Sequence, residues 1–559
     1  MDHTTVVLRS LQACSTLQSR EQERRPSRFI VRRPSVLSHM ANDGGGGPYQ
    51  AFVPPAGSRV SSFRRIGSTT APLLLAIAGS SLPPLPCAFS LSGVVMGIII
   101  MCSIAAANDY TSVLMVRAAS NLGVSGYEEV ILAAGGRRAL ALSRAGLIVL
   151  LFGAGCGCLT AIEETASRAL AELAKATGSS AVYWISADPT GRATFLLSLT
   201  AVILLPLSLA SFGELPCVSS LGVLLMLLIA LYVMCSAISN SVSDDDHTAG
   251  VSVAQGDGMA DWSRIALQMP RAASTFGYAF YVQPYAVPLL RTLPQGIEGA
   301  NTVVASLHIT FTITSLAYLA VGVGGLYLFG QGHVPQDMLQ GFSGVLGGVL
   351  AAIFCVYLML CFYPSVIPLR ETLVRLYHES SMDYFRGVST PPRPAGRAQP
   401  LLPTPIAVDT VSVAVNSGDG RADDGRSADA LPPHRMSRVA PPPPRPAVLP
   451  PGQNALLTAM IIGAALGVAL LLPGASATIF ALTGATGVCF IGYVFPVYAY
   501  WMLPPEVGGA PAQDGTLRTW LVARVLPALV LSLGVLVSIL TLAAVGMDML
   551  YSPSAATCG

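Results

Sequence analysis

Residues 77–89 read "IAGSSLPPLPCAF" and lie within an apolar segment, 66–89, that is long enough to cross a membrane. Its centre nevertheless contains glycine, serine and three prolines, which weaken or interrupt an α-helix. In hydrocarbon each unsatisfied backbone group costs several kcal/mol, so an interrupted helix persists only where protein or a wet cavity satisfies the freed groups. The stretch therefore predicts a binding site within a broken membrane helix.

The composition places most of the chain in lipid. Of its 559 residues 52% are hydrophobic and 11% are charged, whereas soluble domains carry about 25% charged residues. The net charge is +2, and the basic residues are scattered without interleaved aromatics. We therefore expect an all-α, multi-pass protein whose surroundings are the lipid bilayer, and no nucleic-acid partner.

Eleven segments are apolar enough to be spanning helices of about 20 residues. They are 66–89, 92–116, 143–166, 193–210, 216–238, 264–288, 300–328, 344–368, 454–472, 476–502 and 520–545. Arginines flank alternate turns, beginning with Arg59, Arg64 and Arg65 beside the first span. Because basic residues concentrate on the cytosolic side, eleven spans with a cytosolic N-terminus fit this placement, although Arg168, Lys175 and Arg192 fall on the other side.

Two polar segments interrupt the apolar chain. We expect a disordered cytosolic tail over 1–62, spans one to eight over 63–375, a Pro-rich disordered cytosolic loop over 376–453, spans nine to eleven over 454–546, and a short tail over 547–559. Pro-rich chain buries too little apolar surface to fold. The run "APPPPRPAVLPP" in the loop could dock an SH3-type partner; the plainer interpretation is a flexible tether.

A second interruption lies five spans after the first. The stretch "STFGYAFYVQPYAVPLL" (274–290) carries Gly277, Pro284 and Pro288. A spacing of five is what two inverted repeats of five helices would give, and transporters built this way bind their substrate where two broken helices meet. The sequence thus predicts broken first and sixth helices that form one site.

The freed backbone groups of two breaks suit a zwitterion such as an α-amino acid. We expect the carboxylate to bind near the amides of the first break, at Gly79, Ser80 and Ser81. We expect the ammonium to bind near the carbonyls of the second break, at Phe276, Gly277 and Ala279. Because neither break carries a charged side chain, a neutral amino acid is favoured. The two serines could instead bond their own helix carbonyls.

Several motifs carry a family resemblance. The first span reads "GSSLPPLPCAF" (79–89), the second is followed by "DYT" (109–111), Arg117 and "GYEE" (126–129), and the sixth reads "AFYVQP" (279–284). In this order the chain resembles the amino acid/auxin permease family, especially its sodium-coupled neutral amino acid transporter and vacuolar amino acid transporter branches. The resemblance covers about 66–375 and 454–545.

The resemblance implies a LeuT-type fold of about eleven helices and secondary active transport of amino acids, with no cofactor and no metal. The coupling ion, H+ or Na+, stays open. The sodium-coupled branch has an asparagine where this chain has Leu75, and threonines where it has Leu360 and Cys361. These departures leave proton coupling or facilitated exchange open. Gln283 takes the place of the family's histidine, and we count it among the substrate-binding candidates.

Four ionisable residues are candidates for coupling or gating, because charges within spans are costly and often functional. Arg271 could attract a carboxylate or extend to the outer interface. Glu163, with Glu164, could couple a proton or could simply close the third span. His308 could relay protons or could be a buried neutral side chain with one hydrogen bond. We expect Asp109 to cap an inner helix end and to belong to a gate.

Other functional classes are less well supported. The sequence has no His-rich metal cluster, nucleophile–base pair or Gly-rich phosphate loop, so we do not expect an enzyme. The alternative to a transporter is an amino-acid receptor that signals through its cytosolic tails. The protein could reside in the plasma membrane or in a vacuolar or lysosomal membrane.

Overall fold

The structure, a computed structural model, describes residues 58–79, 81–209, 215–243, 260–294, 296–330, 334–335, 337–342, 344–389, 450–504, 507 and 521–551. The chain divides into two units. The first contains Met1–Val374 and Leu449–Gly559, and the second contains Arg375–Val448. The Pro-rich run predicted to dock an SH3-type partner falls almost entirely outside the described residues.

The described elements are all helices. The first half contains α1 (Ser58–Ala78), α2 (Leu85–Ser92), α3 (Val94–Leu122), α4 (Tyr127–Thr177), α5 (Ser180–Ala187), α6 (Pro189–Leu199), α7 (Leu205–Leu209) and α8 (Leu215–Ser243). A short π-helix, Thr200–Leu204, joins α6 to α7.

The second half begins with another interrupted helix. It contains α9 (Ala260–Ala279), α10 (Gln283–Ala286), α11 (Ile297–Phe329), α12 (Gly344–Ser389), α13 (Pro451–Leu471), α14 (Ser476–Thr483), α15 (Phe495–Met502) and α16 (Leu526–Tyr551). 3-10 helices follow α10 and α11 at Pro288–Thr292 and Met338–Gly341. π-helices follow α14 at Gly484–Val494 and precede α16 at Leu521–Val525.

Both predicted interruptions are present. The first apolar segment is divided between α1 and α2, and the sixth between α9 and α10. Pro84 and Pro86 flank the start of α2, and Pro284 lies in its counterpart α10; proline is tolerated in the first helical turn because those N–H groups have no helical partner. For the residues that the structure describes, the prediction of an all-helical protein with broken first and sixth helices is confirmed.

Nine helices of the described chain are long and apolar enough to cross a membrane. Neither interrupted segment is among these nine; within the first, Arg65–Ala78 forms a shorter apolar helix. The count of eleven spans therefore stays a prediction. Large apolar side chains such as Leu231 of α8 and Ile539 of α16 are exposed, as expected for faces in contact with lipid.

The breaks lie in the main hydrophobic core. Phe89 of α2 and Phe276 of α9 are both fully buried, and their rings pack edge to face with centroids 5.2 Å apart. The breaks are thus enclosed by protein, as interrupted backbone within a membrane requires.

Several helix ends differ from the expected boundaries. α1 begins at Ser58, within the predicted tail, and α12 continues to Ser389, well past 375. The sequence of α12 offers no stop until Pro391, and the residue before a proline disfavours helical backbone. Within α4, Gly136 has φ 67° and ψ −162°, so α4 consists of two helices that meet at a residue whose backbone favours glycine.

Candidate functional site

The first break lies between Ala78, the last residue of α1, and Leu85, the first of α2. The carbonyls at the end of α1 are bonded by side chains from other helices. Tyr318 of α11 donates its hydroxyl hydrogen to Ile77 O at 2.8 Å. Tyr357 of α12 donates to Ala78 O at 2.5 Å. Ser80 lies outside the described residues.

The second break lies between Ala279 and Gln283, and the same Tyr318 reaches it. The Tyr318 hydroxyl lies 3.0 Å from Ala279 O, and 2.7 Å from Ser81 Oγ in the first break. A single hydroxyl therefore contacts both interrupted helices. The sequence predicts that the breaks meet; the structure brings them together through Tyr318.

Glycines beside each break face open space. A Cβ added at Gly277 would meet nothing within 4 Å, although Gly277 is itself buried. A Cβ added at Gly79 would meet only Ala76 O, at 3.7 Å. By contrast, a Cβ added at Gly322 would overlap the ring of Phe89. Both breaks therefore have unfilled volume beside them.

Gln283 is fully buried and uses its amide within the protein. Its Nε2 donates to Asn108 Oδ1 at 3.0 Å and lies 3.2 Å from Thr111 Oγ1, while its Oε1 accepts from Val282 N at 3.0 Å. Asn108 in turn donates to the hydroxyl of Tyr493 at 2.8 Å. Through these bonds Gln283 holds the second break against α3 and, through Asn108, the π-helix Gly484–Val494. Its predicted role in substrate binding stays a prediction.

These features of the chain have a counterpart among known families. The family model of the transmembrane amino acid transporter proteins matches residues 65–547. The chain belongs to the transmembrane amino acid transporter family. The match spans both breaks and the helices on either side of the Pro-rich loop, which confirms the resemblance found in the sequence.

Two solved structures contain chains that are similar to this one over most of their length. A manganese transporter from Eremococcus coleocola, in complex with an aromatic bis-isothiourea compound, is 13% identical, with 89% of this chain and 96% of that chain covered and a TM-score of 0.46. MhsT in complex with L-phenylalanine is 9% identical, with 86% and 98% covered and a TM-score of 0.47. No curated protein matches the sequence significantly.

Two coupling candidates of this amino acid transporter family member lie together. His308 Nδ1 of α11 is 2.7 Å from Asp109 Oδ2 of α3. Asp109 lies in the middle of α3, not at a helix end, and His308 is 55% exposed, not buried as the plainer interpretation held. Asp109 Oδ1 is buried without a hydrogen-bond partner among the described residues.

Glu163 and Glu164 also lie inside a helix, because α4 continues to Thr177. Glu163 accepts from Arg192 Nε of α6 at 2.6 Å. Glu164 accepts from the backbone N and hydroxyl of Ser476, at 3.2 and 2.9 Å. The two carboxylates thus join α4 to different neighbours, α6 and α14.

Arg271 does not lie at the second break. It precedes Ala279 by eight residues of α9, or about 12 Å along a helix axis. Phe276, whose carbonyl was expected to bind an ammonium, has a fully buried side chain against Phe89. Of the predicted substrate-binding residues, Ser81 and Ala279 both lie within hydrogen-bond distance of the Tyr318 hydroxyl.

A loop after α11 reaches the first break. Met338 N donates to Pro83 O at 3.2 Å, and Arg168 of α4 donates to Gln340 O at 2.7 Å. Asp337 caps the 3-10 helix by accepting from Leu339 N at 2.9 Å. Burial raises the pKa of Asp337 to about 6, against the lowering effects of the Leu339 hydrogen bond and the Arg168 charge.

Four residues of this region are not predicted from the sequence: Tyr318, Tyr357, Asn108 and Asp337. Tyr318 and Tyr357 are two of 18 tyrosines, and nothing in their local sequence marks them. Asn108 directly precedes the "DYT" motif and Thr111 is its last residue. Their burial opposite Gln283 could have been suspected, because polar residues three apart lie on one helix face. Within the described ranges, no three His, Cys, Asp or Glu side chains converge as metal ligands.

Proposed function

We propose that this protein is a secondary active transporter that moves neutral amino acids across a membrane by alternating access, driven by an ion gradient. The observation that supports it most strongly is the Tyr318 hydroxyl, which lies within 3.0 Å of backbone oxygens in both breaks. Two helices interrupted in register and joined at one point form the kind of site that secondary transporters use.

The termini of the half-helices suit the two charges of an amino acid. α2 begins at the first break, and the positive end of its helix dipole favours a carboxylate. α1 and α9 end at the breaks, and their last carbonyls favour an ammonium. The open space beside Gly79 and Gly277 would receive the substrate.

A neutral side chain fits the polar groups around the breaks. Among the described residues, the side chains that hydrogen bond to the breaks are uncharged: Ser81, Tyr318, Tyr357 and Gln283. A charged substrate side chain buried there would need an opposite charge or several hydrogen bonds. We therefore propose a neutral amino acid as substrate.

The location we propose is the plasma membrane or a vacuolar or lysosomal membrane, with the N-terminus in the cytosol. The arginines that flank alternate turns of the sequence support this orientation. A fluorescent tag at the N-terminus, tested for quenching by a membrane-impermeant reagent in intact and permeabilised cells, checks it. Co-localisation with markers of the two membranes separates the alternatives.

The test is uptake of labelled amino acids into liposomes that contain the purified protein, with a proton gradient, a sodium gradient or neither. We expect uptake of neutral amino acids that exceeds uptake by protein-free liposomes. Gly277→Val should abolish it by filling the open space, whereas Gly463→Val, an equivalent change at an exposed glycine of α13, should not.

The receptor alternative predicts a different result. Folded protein that binds an amino acid, measured by thermal stabilisation, but shows neither uptake nor exchange would overturn the transporter proposal. Uptake that is equal for charged and neutral amino acids would overturn only the proposed substrate class.

A further inference from the structure

We propose that the hydroxyl groups of Tyr318 and Tyr357 occupy the place that a coupling cation would need between the two breaks, so that transport by this chain does not depend on sodium. The inference rests on the proposed function of the breaks as a transport site. It concerns the ion that transport requires, and it attributes independence from sodium to the two tyrosine side chains.

The C-terminal ends of α1 and α9 carry partial negative charge and favour a positively charged partner. The last carbonyls of a helix have no helical partner, and the helix dipole adds a partial negative charge of about half an elementary charge at each C-terminus. Both helices end at the breaks, and Ile77 O and Ala279 O lie within 3.0 Å of one point, the Tyr318 oxygen. Two C-termini that meet in a buried site need either a cation or hydrogen-bond donors.

The structure supplies donors. Tyr318 projects from α11 and Tyr357 from α12, and both side chains are fully buried. Tyr357 bonds Ala78 O at 2.5 Å, directly beside Ile77. Three carbonyls at the ends of α1 and α9, those of Ile77, Ala78 and Ala279, therefore each contact a tyrosine hydroxyl, and the two hydroxyls come from different helices.

The single hydroxyl hydrogen of Tyr318 limits how many of the nearby carbonyls it can bond at one time. A tyrosine hydroxyl donates one hydrogen and accepts others. Ser81 Oγ, at 2.7 Å, can donate to the Tyr318 oxygen, which strengthens the bond that Tyr318 donates. That single hydrogen is shared between Ile77 O and Ala279 O. One carbonyl therefore remains available for a further N–H donor, such as a substrate ammonium, while the Tyr318 oxygen excludes a metal cation from the point of convergence.

The experiment compares the wild-type protein with Tyr318→Phe and Tyr357→Phe in liposomes, using sodium or choline chloride at equal concentration. We expect wild-type uptake to be equal in the two salts. Removal of the Tyr318 hydroxyl leaves Ile77 O and Ala279 O without that donor. Sodium should therefore raise the uptake rate of Tyr318→Phe about fivefold, the effect of roughly one net hydrogen bond. Tyr357→Phe, which bares one carbonyl, should respond less.

Tyr127→Phe is the matched control. Tyr127 is buried, and its hydroxyl donates to a backbone carbonyl, Ile491 O, at 2.8 Å; that carbonyl lies inside the π-helix and not at a helix C-terminus. This variant should lose a hydrogen bond of the same kind without gaining any response to sodium.

Sodium binding is measured separately by thermal unfolding of the purified proteins, because an ion that binds the folded state raises its melting temperature. Sodium should stabilise Tyr318→Phe relative to choline but leave the wild type unchanged. Sodium-dependent uptake or sodium stabilisation of the wild type would overturn the inference, as would folded Tyr318→Phe and Tyr357→Phe that ignore sodium. If Tyr318→Phe does not fold, Tyr357→Phe decides. Absence of any amino-acid flux would refute the proposed function but leave the thermal test valid.

Discussion

The imidazole of His308 and the carboxylate of Asp109 lie 2.7 Å apart and join the middle of α11 to the middle of α3. Ionisable side chains within apolar helices are costly unless paired. The pair therefore explains how two such residues can be accommodated outside the candidate substrate site.

Removal of one partner should cost more than removal of both. His308→Ala leaves the Asp109 carboxylate without its partner, so we expect a loss of about 1–3 kcal/mol in the free energy of unfolding. The double variant Asp109→Asn/His308→Ala should recover part of that loss, because no unpaired charge remains. Melting temperatures of the two single variants and the double variant measure the coupling; additive losses would show that the pair contributes nothing.

Substitution of a glycine that faces open space beside a break should have a different effect from substitution of a tightly packed glycine. Gly277→Ala adds a methyl group that meets no neighbour, so we expect unchanged thermal stability and a raised KM for amino-acid uptake. Gly322→Ala instead overlaps Phe89 and should lower the melting temperature, since overpacking costs about 1–3 kcal/mol. Equal KM values for wild type and Gly277→Ala would place the substrate elsewhere.

Gln283 should act through structure. Gln283→Ala leaves Asn108 Oδ1 and Val282 N without a partner, each at a cost of about 1–3 kcal/mol. We expect a lower melting temperature and a lower maximal rate of uptake. Gln283→Glu keeps an acceptor for Val282 N but loses the donor to Asn108, so its loss should be intermediate. A change in KM alone, at unchanged stability, would contradict a positioning role.

Asp337 predicts a pH dependence of stability. Burial raises the pKa of its carboxyl to about 6, above its ordinary value, so the folded protein favours the protonated form. The associated stabilisation is present at low pH and is lost as pH rises through about 6. The groups around it are Arg168, which favours ionisation, and Glu164.

The measurement is the melting temperature between pH 5 and 7.5 for wild type and Asp337→Asn. Asparagine keeps an acceptor for Leu339 N but does not titrate. Only the part of the titration between pH 5 and about 6 falls within this range, so we expect the wild type to lose about 1.4 kcal/mol relative to the variant as pH rises, the equivalent of one pKa unit. Parallel curves would rule out Asp337 as the titrating group.

The sequence was sufficient to locate the two breaks because glycine and proline act locally on the helix. It was not sufficient for the side chains that join them. Tyr318 contacts Ile77, 241 residues away, and Ala279, 39 residues away, and only the packing of α11 brings these together. Local pattern does not encode such contacts.

Asp109 shows a different limit. Its polar surroundings, "ANDYT" (107–111), resemble a helix end and predict a capping role for Asp109. Yet α3 continues to Leu122, where Gly123 adopts φ 69° and closes the helix in the left-handed conformation. The polar residues are instead accommodated within the helix, because Asn108 and Thr111 bond Gln283 and Asp109 bonds His308.

The π-helix Gly484–Val494 affects how substitutions in this region should be interpreted. Its i→i+5 bonding turns the backbone more slowly than the about 3.6 residues per turn of an α-helix. Side chains before and after it therefore do not share faces at the usual intervals of three and four. A residue-by-residue scan analysed with α-helical periodicity would assign residues 484–494 to the wrong neighbours, and a one-residue deletion there would rotate everything from Phe495 onward relative to α14.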